Sequence, residues 1–190
     1  LSLLLAYVFD FNKVAFSNEK DADEPNLKYL GFKVNHQYSK TSEFEQKFRR
    51  YYKRYILEGI EVFSFLRYLS DLEISALFSN FSQYFSAFLS CNKGSKKNIW
   101  CGSCPKCFST FLSLYPFLKT QEIRKIFGRN LLEEKKFLPL LKQFLDSKEI
   151  KPFECVMSRN QFRKALKISV QKAREEGNLP VILRAFVRRF

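Results

Sequence analysis

The sequence predicts an α/β layer that gives way, near residue 85, to a mostly helical subdomain. Three observations carry this. Two short runs rich in β-formers, Lys13–Ser17 and Ile60–Leu66, alternate with helical stretches in the first half. After Pro116 the apolar spacing is helical throughout. Between these halves stand four closely spaced cysteines, Cys91, Cys101, Cys104 and Cys107. The expected domains are therefore 1–85 and 86–190.

Taken in order, Leu1–Phe11 is apolar enough for a buried helix, and Lys-Val-Ala-Phe-Ser at 13–17 reads as a short buried strand. Asn18–Asn26 is a polar, acidic loop at that strand's end. Ser42-x-x-Glu45 has the form of a capping box and opens a basic helix to about Leu57. Ile60–Leu66 is the second strand, and Ser70-x-x-Glu73 opens a helix to about Phe78. Pro105, suited to a first helical turn, starts a helix through Tyr115. The remaining helices are expected at Gln121–Phe127, Leu131–Asp146, Arg159–Glu176 and Pro180–Phe190.

The cysteine run is Cys91-x9-Cys101-Gly-Ser-Cys104-Pro-Lys-Cys107. This spacing can bring four thiolates around one tetrahedral ion, and zinc accepts four sulfurs at ~2.3 Å without a geometric demand of its own. Gly102 can take the backbone angles that a tight chelating turn needs. With sulfur at every position no ligand place is left for water, so such an ion is structural rather than catalytic. Disulfides, or buried thiols with no common task, are the competing readings.

The chain has 190 residues, 46% of them hydrophobic and 22 of them phenylalanine, which excludes a disordered polypeptide. Five cysteines fit a reducing cytosol better than a secreted disulfide framework. Leu1–Phe9 is too short to span a membrane and lacks the basic leader of a signal peptide. A formal charge of +14 suits a polyanion partner, or else basic residues solvating helix faces. The basic residues are spread along the chain, which favours the second. The chain opens on Leu1 in an apolar stretch, as a piece of a longer protein would.

Several polar residues could carry chemistry. The loop Ser17–Asn26 follows a strand, where open α/β sheets bind ligands, and its carboxylates could hold magnesium; a solvated acidic turn is the plain alternative. The lone histidine, His36, stands in Asn35-His36-Gln37-Tyr38-Ser39-Lys40. Imidazole suits proton transfer, and an exposed loop histidine is its plain alternative. Cys155 follows Glu154: it is either a small buried hydrophobe or an acid/base thiol. The six glycines are isolated, so the chain contains no glycine-rich phosphate loop.

Four stretches in this order, Ser17–Asn26, Val34–Lys40, Trp100–Cys107 and Lys151–Val156, resemble the UDP-N-acetylmuramoyl-L-alanyl-L-glutamate epimerase family of bacterial peptidoglycan synthesis. The likeness runs over about residues 10 to 165. The cysteine run alone also looks like the zinc loop of 7-cyano-7-deazaguanine synthase, from the same wider group of ATP pyrophosphatases.

The resemblance implies a cytoplasmic enzyme that uses ATP and magnesium to adenylate the terminal glutamate of UDP-MurNAc-L-Ala-L-Glu. An acyl adenylate withdraws electrons where a carboxylate would oppose removal of the α-proton. Reprotonation on the other face followed by hydrolysis gives D-glutamate and AMP. By position, Asn18, Glu19 and Asn26 would line the nucleotide or magnesium side, in the remainder of a doubly wound nucleotide-binding layer. His36, Gln37, Ser39 and Lys40 would face the glutamate or its adenylate, with His36, Lys40 and Cys155 as catalytic candidates. The group's Ser-Gly-Gly-x-Asp-Ser loop is not in the sequence, so this stretch alone is expected to be inactive. A tRNA-modifying or deazaguanine-type pyrophosphatase is the second reading. A zinc-stabilised nucleic-acid-binding module is the third, although no nucleic-acid partner is expected.

Overall fold

Two units organise the chain in the computed structural model, which describes residues 1–189: Leu1–Ser70, and the stretch from Asp71 onward. Unit 1 contains helix α1 (Ser2–Val8), strand β1 (Lys13–Phe16) and the hairpin β2 (Leu27–Tyr29) and β3 (Phe32–Val34). Helix α2 (Ser42–Tyr55) and strand β4 (Glu61–Ser64) complete it. Strands β1 and β4 pair in parallel, with Val14 opposite Val62 and Phe16 opposite Ser64. Parallel strands require a crossover connection, and the hairpin and α2 form it. The α/β class read from the sequence is therefore the observed one.

The hairpin turns at Leu30 and Gly31, with φ of 47° and 82°. Two successive positive φ values match the twist of the flanking strands, and Gly31 meets the second at no steric cost. Helix α2 starts one residue from the expected place. Thr41 is its cap, its hydroxyl oxygen accepting from the Phe44 N–H at 3.1 Å. At the other end the fully buried Tyr52 fastens α2 to β4. Its hydroxyl donates to the Ile60 carbonyl (2.7 Å) and accepts from the Val62 N–H (3.2 Å).

Burial of the first two elements differs from expectation. Only Ala6 of α1 is buried, whereas Leu1, Leu4, Leu5, Tyr7, Val8 and Phe9 are exposed. In β1 only Val14 is even half-buried. The cause is a shortage of partners: the parallel sheet of unit 1 has two strands, so β1 is an edge, and the apolar residues of both elements outnumber the surfaces that cover them.

Unit 2 is built around α4 (Pro105–Leu114), preceded by α3 (Asp71–Phe78) and the cysteine loop. Cys107, Phe108, Ser109 and Phe111 through Leu114 are all buried, so α4 has almost no solvent face. Helices α5 (Thr120–Phe127), α6 (Leu138–Leu145), α7 (Arg159–Glu175) and α8 (Val181–Arg189) follow it. Phe144 stacks on Phe162 with ring centroids 4.0 Å apart, and Phe108 stacks on Phe137 at 4.6 Å. Ser158 caps α7, and Gly128 in the left-handed region closes α5.

The single helix expected over Leu131–Asp146 is instead two 3₁₀ turns, Leu131–Glu133 and Lys135–Phe137, followed by α6. Pro139 is the reason: its ring is tolerated in a first helical turn and not in a helix interior. Of the last expected helix, Phe190 lies outside the described residues. Phe162 is fully buried between Phe108 and Phe144. We predict that Phe162→Ala lowers the unfolding free energy of unit 2 by ~3–5 kcal/mol, measured as a shifted midpoint in urea titration.

Candidate functional site

The carboxyl ends of β1 and β4 open onto a cavity of about 380 Å³ lined by Phe16, Asn18, Ser39, Lys40, Phe44, Glu45, Phe48 and Val62. Phe16 and Asn18 come from the end of β1, Ser39 and Lys40 from the turn before α2, and Phe44, Glu45 and Phe48 from one face of α2. The site is thus half apolar and half polar, at the strand ends where α/β layers receive ligands. Three of the residues singled out from the sequence, Asn18, Ser39 and Lys40, meet here.

Other named residues brace this cavity rather than line it. Asn26 is buried, and its Oδ1 receives both the His36 backbone N–H (3.0 Å) and His36 Nδ1 (2.8 Å). A backbone N–H can only donate, so the atom facing it is the amide oxygen; Nδ1 must then carry a proton. In the neutral ring the lone pair sits on Nε2, the form a general base needs. Asn35 donates to the Ala22 carbonyl (2.8 Å) and accepts from the Gln37 N–H (3.0 Å), tying the His36 loop to the acidic loop. Gln37 is 5% exposed, and its Oε1 has no hydrogen-bond partner among the described residues. The Glu19 carbonyl accepts from Arg67 at 3.1 Å. Asp23, one of the acidic-loop carboxylates, is engaged by the Ser42 N–H (2.7 Å) and Ser42 hydroxyl (2.8 Å) at the start of α2.

Sequence reasoning missed Glu45 and Arg67. Glu45 was expected to reach back to the cap of α2, but its carboxylate turns the other way. It accepts from Arg67 Nη2 (2.9 Å), Arg49 Nη2 (2.5 Å) and the Ser64 hydroxyl. Asn18 Nδ2 donates to that same hydroxyl at 3.0 Å, so the network reaches the cavity wall. Burial alone would raise the Glu45 carboxyl, but hydrogen bonds from Ser64 and Arg67 and the charge of Arg49 outweigh it and hold it below its ordinary value of 4.5. The signal available in the sequence was Arg49, one helical turn after Glu45, which marks a paired carboxylate rather than a cap.

In unit 2 the four cysteines converge so that all four sulfurs lie within 4.8 Å of one another. Sγ separations are 4.0 Å for Cys91–Cys104, 3.7 Å for Cys101–Cys107 and 3.5 Å for Cys104–Cys107. A disulfide needs ~2.0 Å, and all five cysteines are free. Four sulfurs at ~2.3 Å from one ion stand ~3.8 Å apart along a tetrahedron's edge, so the observed spacing fits zinc. Backbone N–H groups point at the sulfurs: Gly94 (3.2 Å) and Cys101 (3.5 Å) to Cys91, and Cys107 (3.4 Å) to Cys104.

The Cys107 thiol's hydrogen bond holds Cys104 down at about 5, against the effect of burial. The same bond, reinforced by burial, pushes Cys107 up. A cation held among the sulfurs would favour the thiolate form of each. Gly94 is sterically required: a Cβ there would lie 1.9 Å from the Ile99 carbonyl oxygen. Among the described residues, no other cluster of three or more potential metal ligands occurs.

Cys155 belongs to unit 2 and is half-buried. It does not line the unit 1 cavity. Its neighbour Glu154 accepts the Lys106 N–H (2.9 Å) in the first turn of α4, and burial together with the Cys104 charge raises its carboxyl.

The ion pair at Glu45 sets a pH dependence. A carboxyl whose folded value is depressed stabilises the fold fully above its unfolded value and loses that contribution as pH falls through the folded one. The wild-type thermal midpoint should therefore drop as pH falls below about 4.5. In Glu45→Gln the midpoint starts lower at neutral pH and declines less over the same acid range.

Residues 87–189 match the MurL C-terminal domain, and residues 1–65 match the MurL N-terminal domain. A Xanthomonas oryzae pv. oryzae protein named UDP-N-acetyl-alpha-D-muramoyl-L-alanyl-L-glutamate epimerase is 34% identical over 192 residues, covering 98% of this chain and 42% of that protein. Proteins of the same name from a Micromonospora strain and from Salinispora tropica are 37% and 38% identical over 147 residues. Each alignment covers 75% of this chain, and 33% and 32% of those proteins respectively. The chain thus spans well under half the length of the curated relatives it matches. No solved structure matches it.

Proposed function

The chain belongs to the MurL family, and on that footing we propose that it forms part of an ATP-dependent epimerase in peptidoglycan precursor synthesis. The reaction inverts the terminal L-glutamate of UDP-MurNAc-L-Ala-L-Glu. What supports this most is the meeting of Asn18, Ser39 and Lys40 in one cavity at the strand ends. The names of the relatives favour it over the deazaguanine-type and nucleic-acid readings.

ATP, entering with magnesium, supplies an adenylyl group to the α-carboxylate and releases pyrophosphate. The unit 1 layer, read as the remainder of a doubly wound nucleotide-binding domain, receives the activated glutamate. Asn18 and Glu19 face the nucleotide and its cation. The Lys40 ammonium stabilises negative charge as the α-proton leaves. His36, its ring fixed by Asn26, takes or returns that proton through Nε2. Ser39 and Gln37 orient the glutamyl group, and Cys155 is retained as a second acid/base candidate. Water then cleaves the adenylate to D-glutamate and AMP. The enzyme is cytoplasmic, its substrate being a soluble nucleotide. Among the described residues no helix is long and apolar enough to cross a membrane.

The four cysteines hold one structural zinc. Bound there, zinc would fix residues 91–107 to the head of α4 and leave no ligand place for water.

Two experiments test these readings. In D₂O, the full reading-frame protein with ATP, magnesium and the dipeptidyl nucleotide should release AMP and place deuterium on the glutamate α-carbon. His36→Gln should abolish the exchange while leaving zinc content unchanged. AMP release driven by a deazaguanine acid, or none at all, overturns the function, and undiminished exchange in His36→Gln removes that residue's role. For the metal, elemental analysis should find one zinc per chain, lost in Cys104→Ser together with a lowered melting temperature of unit 2. A purified, folded protein without stoichiometric zinc refutes the site.

A further inference from the structure

Arg67 follows β4 by three residues, and its side chain is 11% exposed. Its Nη1 donates to the Glu19 carbonyl (3.1 Å). Its Nη2 donates to the Lys40 carbonyl (2.8 Å), to Glu45 Oε2 (2.9 Å) and to the Ser64 hydroxyl (3.3 Å). These acceptors come from four separate parts of unit 1: the loop after β1, the turn before α2, α2 itself and the end of β4. Two are backbone carbonyls: one belongs to Lys40, which lines the cavity, and the other to Glu19, next in sequence to the lining residue Asn18. A backbone bond from the Lys20 N–H to the Leu69 carbonyl (2.9 Å) runs alongside.

We infer that Arg67 is a positioning residue for the cavity: it fixes the distance between the Asn18–Glu19 loop and the Ser39–Lys40 turn. Other bonds join the two stretches farther along, Asn35 to the Ala22 carbonyl and Ser42 to Asp23, whereas Arg67 joins them at Glu19 and Lys40. The Asn18 amide reaches only Ser64, and the Asp23 pair reaches only the start of α2. Glu45 pairs with both Arg67 and Arg49, so the network keeps one net positive charge, and the other Arg67 Nη donors go to neutral carbonyls. Lysine could not replace it, because an ammonium is a point charge and lacks the planar fork that spans two loops. The catalytic consequence rests on the epimerase reading. A reacting group displaced by ~1 Å loses on the order of 100-fold in rate, and Lys40 is the group Arg67 holds by its own backbone. The geometric claim does not depend on that reading.

The test uses the full reading-frame protein and two readouts. In hydrogen exchange, Arg67→Ala should speed amide exchange in both 18–24 and 35–41 by about tenfold or more, while α7 stays protected. In the D₂O assay its kcat should fall ~100-fold, with KM for the dipeptidyl nucleotide moving by less than about threefold. Added ethylguanidinium should restore part of that kcat in Arg67→Ala. Arg67→Lys, which keeps the charge and is the fallback should the alanine variant not fold, should show the same two losses. Loss of protection confined to 64–69, or an undiminished kcat in a folded variant, overturns the inference. If the wild type itself shows no exchange at the α-carbon, the epimerase reading fails and the paired loss of loop protection still decides the role of Arg67.

Discussion

Four thiols crowded at the head of α4 are the constraint on which unit 2 depends. Sulfurs 3.5–4.0 Å apart, mostly buried and met by backbone N–H groups, cannot all ionise without a cation among them. Yet α4 cannot start elsewhere. Cys104 is its cap, Pro105 its first residue, and Cys107 ends its first turn fully buried. The helix body that follows is the axis on which Phe108, Phe111 and Leu112 gather the aromatic core. Cluster and core are therefore one object: whatever settles the charge of the sulfurs also fixes the register of the helix that the core is packed on.

Unit 1 has no such core and relies on polar fastening instead. Apart from Tyr52, Ile60, Val62, Ala6 and Ala22 its apolar residues are exposed or half-covered. Its order comes from Asn26 on His36, Asn35 on Ala22, Asp23 on Ser42, and Glu45 with Arg67. This division suits the chemistry proposed for it. A cavity that must accept a charged substrate needs polar walls at defined spacing, and hydrogen bonds supply direction where apolar contact would not. The cost is sensitivity: removing one partner from a buried ion pair leaves the other uncompensated.

Much of this was legible from local pattern. The parallel strands follow from β-formers flanking a helical stretch, and the convergence of the four cysteines follows from their spacing. What failed to show was long-range pairing. Glu45 satisfies a capping-box pattern, and nothing local reveals that its carboxylate faces Arg67, twenty-two residues away in sequence. Gly94 looks like any isolated glycine until Ile99 folds back over it. Burial of α1 and β1 is not legible for a related reason: apolar character reports what a segment could bury and is silent on whether a neighbour is there to cover it. Pro139, like Arg49, is a local signal in the sequence, and it accounts for the break between the 3₁₀ turns and α6.

The excess of basic residues has a structural explanation that composition could not supply. Several cations are turned toward backbone carbonyls rather than toward an external anion. Arg159 donates to the carbonyls of Gln143, Phe144, Asp146 and Glu149, and Arg163 to that of Leu145, so both gather the end of α6. Lys172 does the same for Tyr115 and Leu118 just past α4, with its ammonium over the Tyr115 ring. Arg67 repeats the arrangement in unit 1. Helix ends expose carbonyls carrying partial negative charge, and a cation placed there satisfies both the hydrogen bonds and the dipole. A chain with 33 Lys and Arg against 19 Asp and Glu has donors to spare for this task. Part of the +14 charge is consequently internal scaffolding, and a polyanion partner is not needed to account for it.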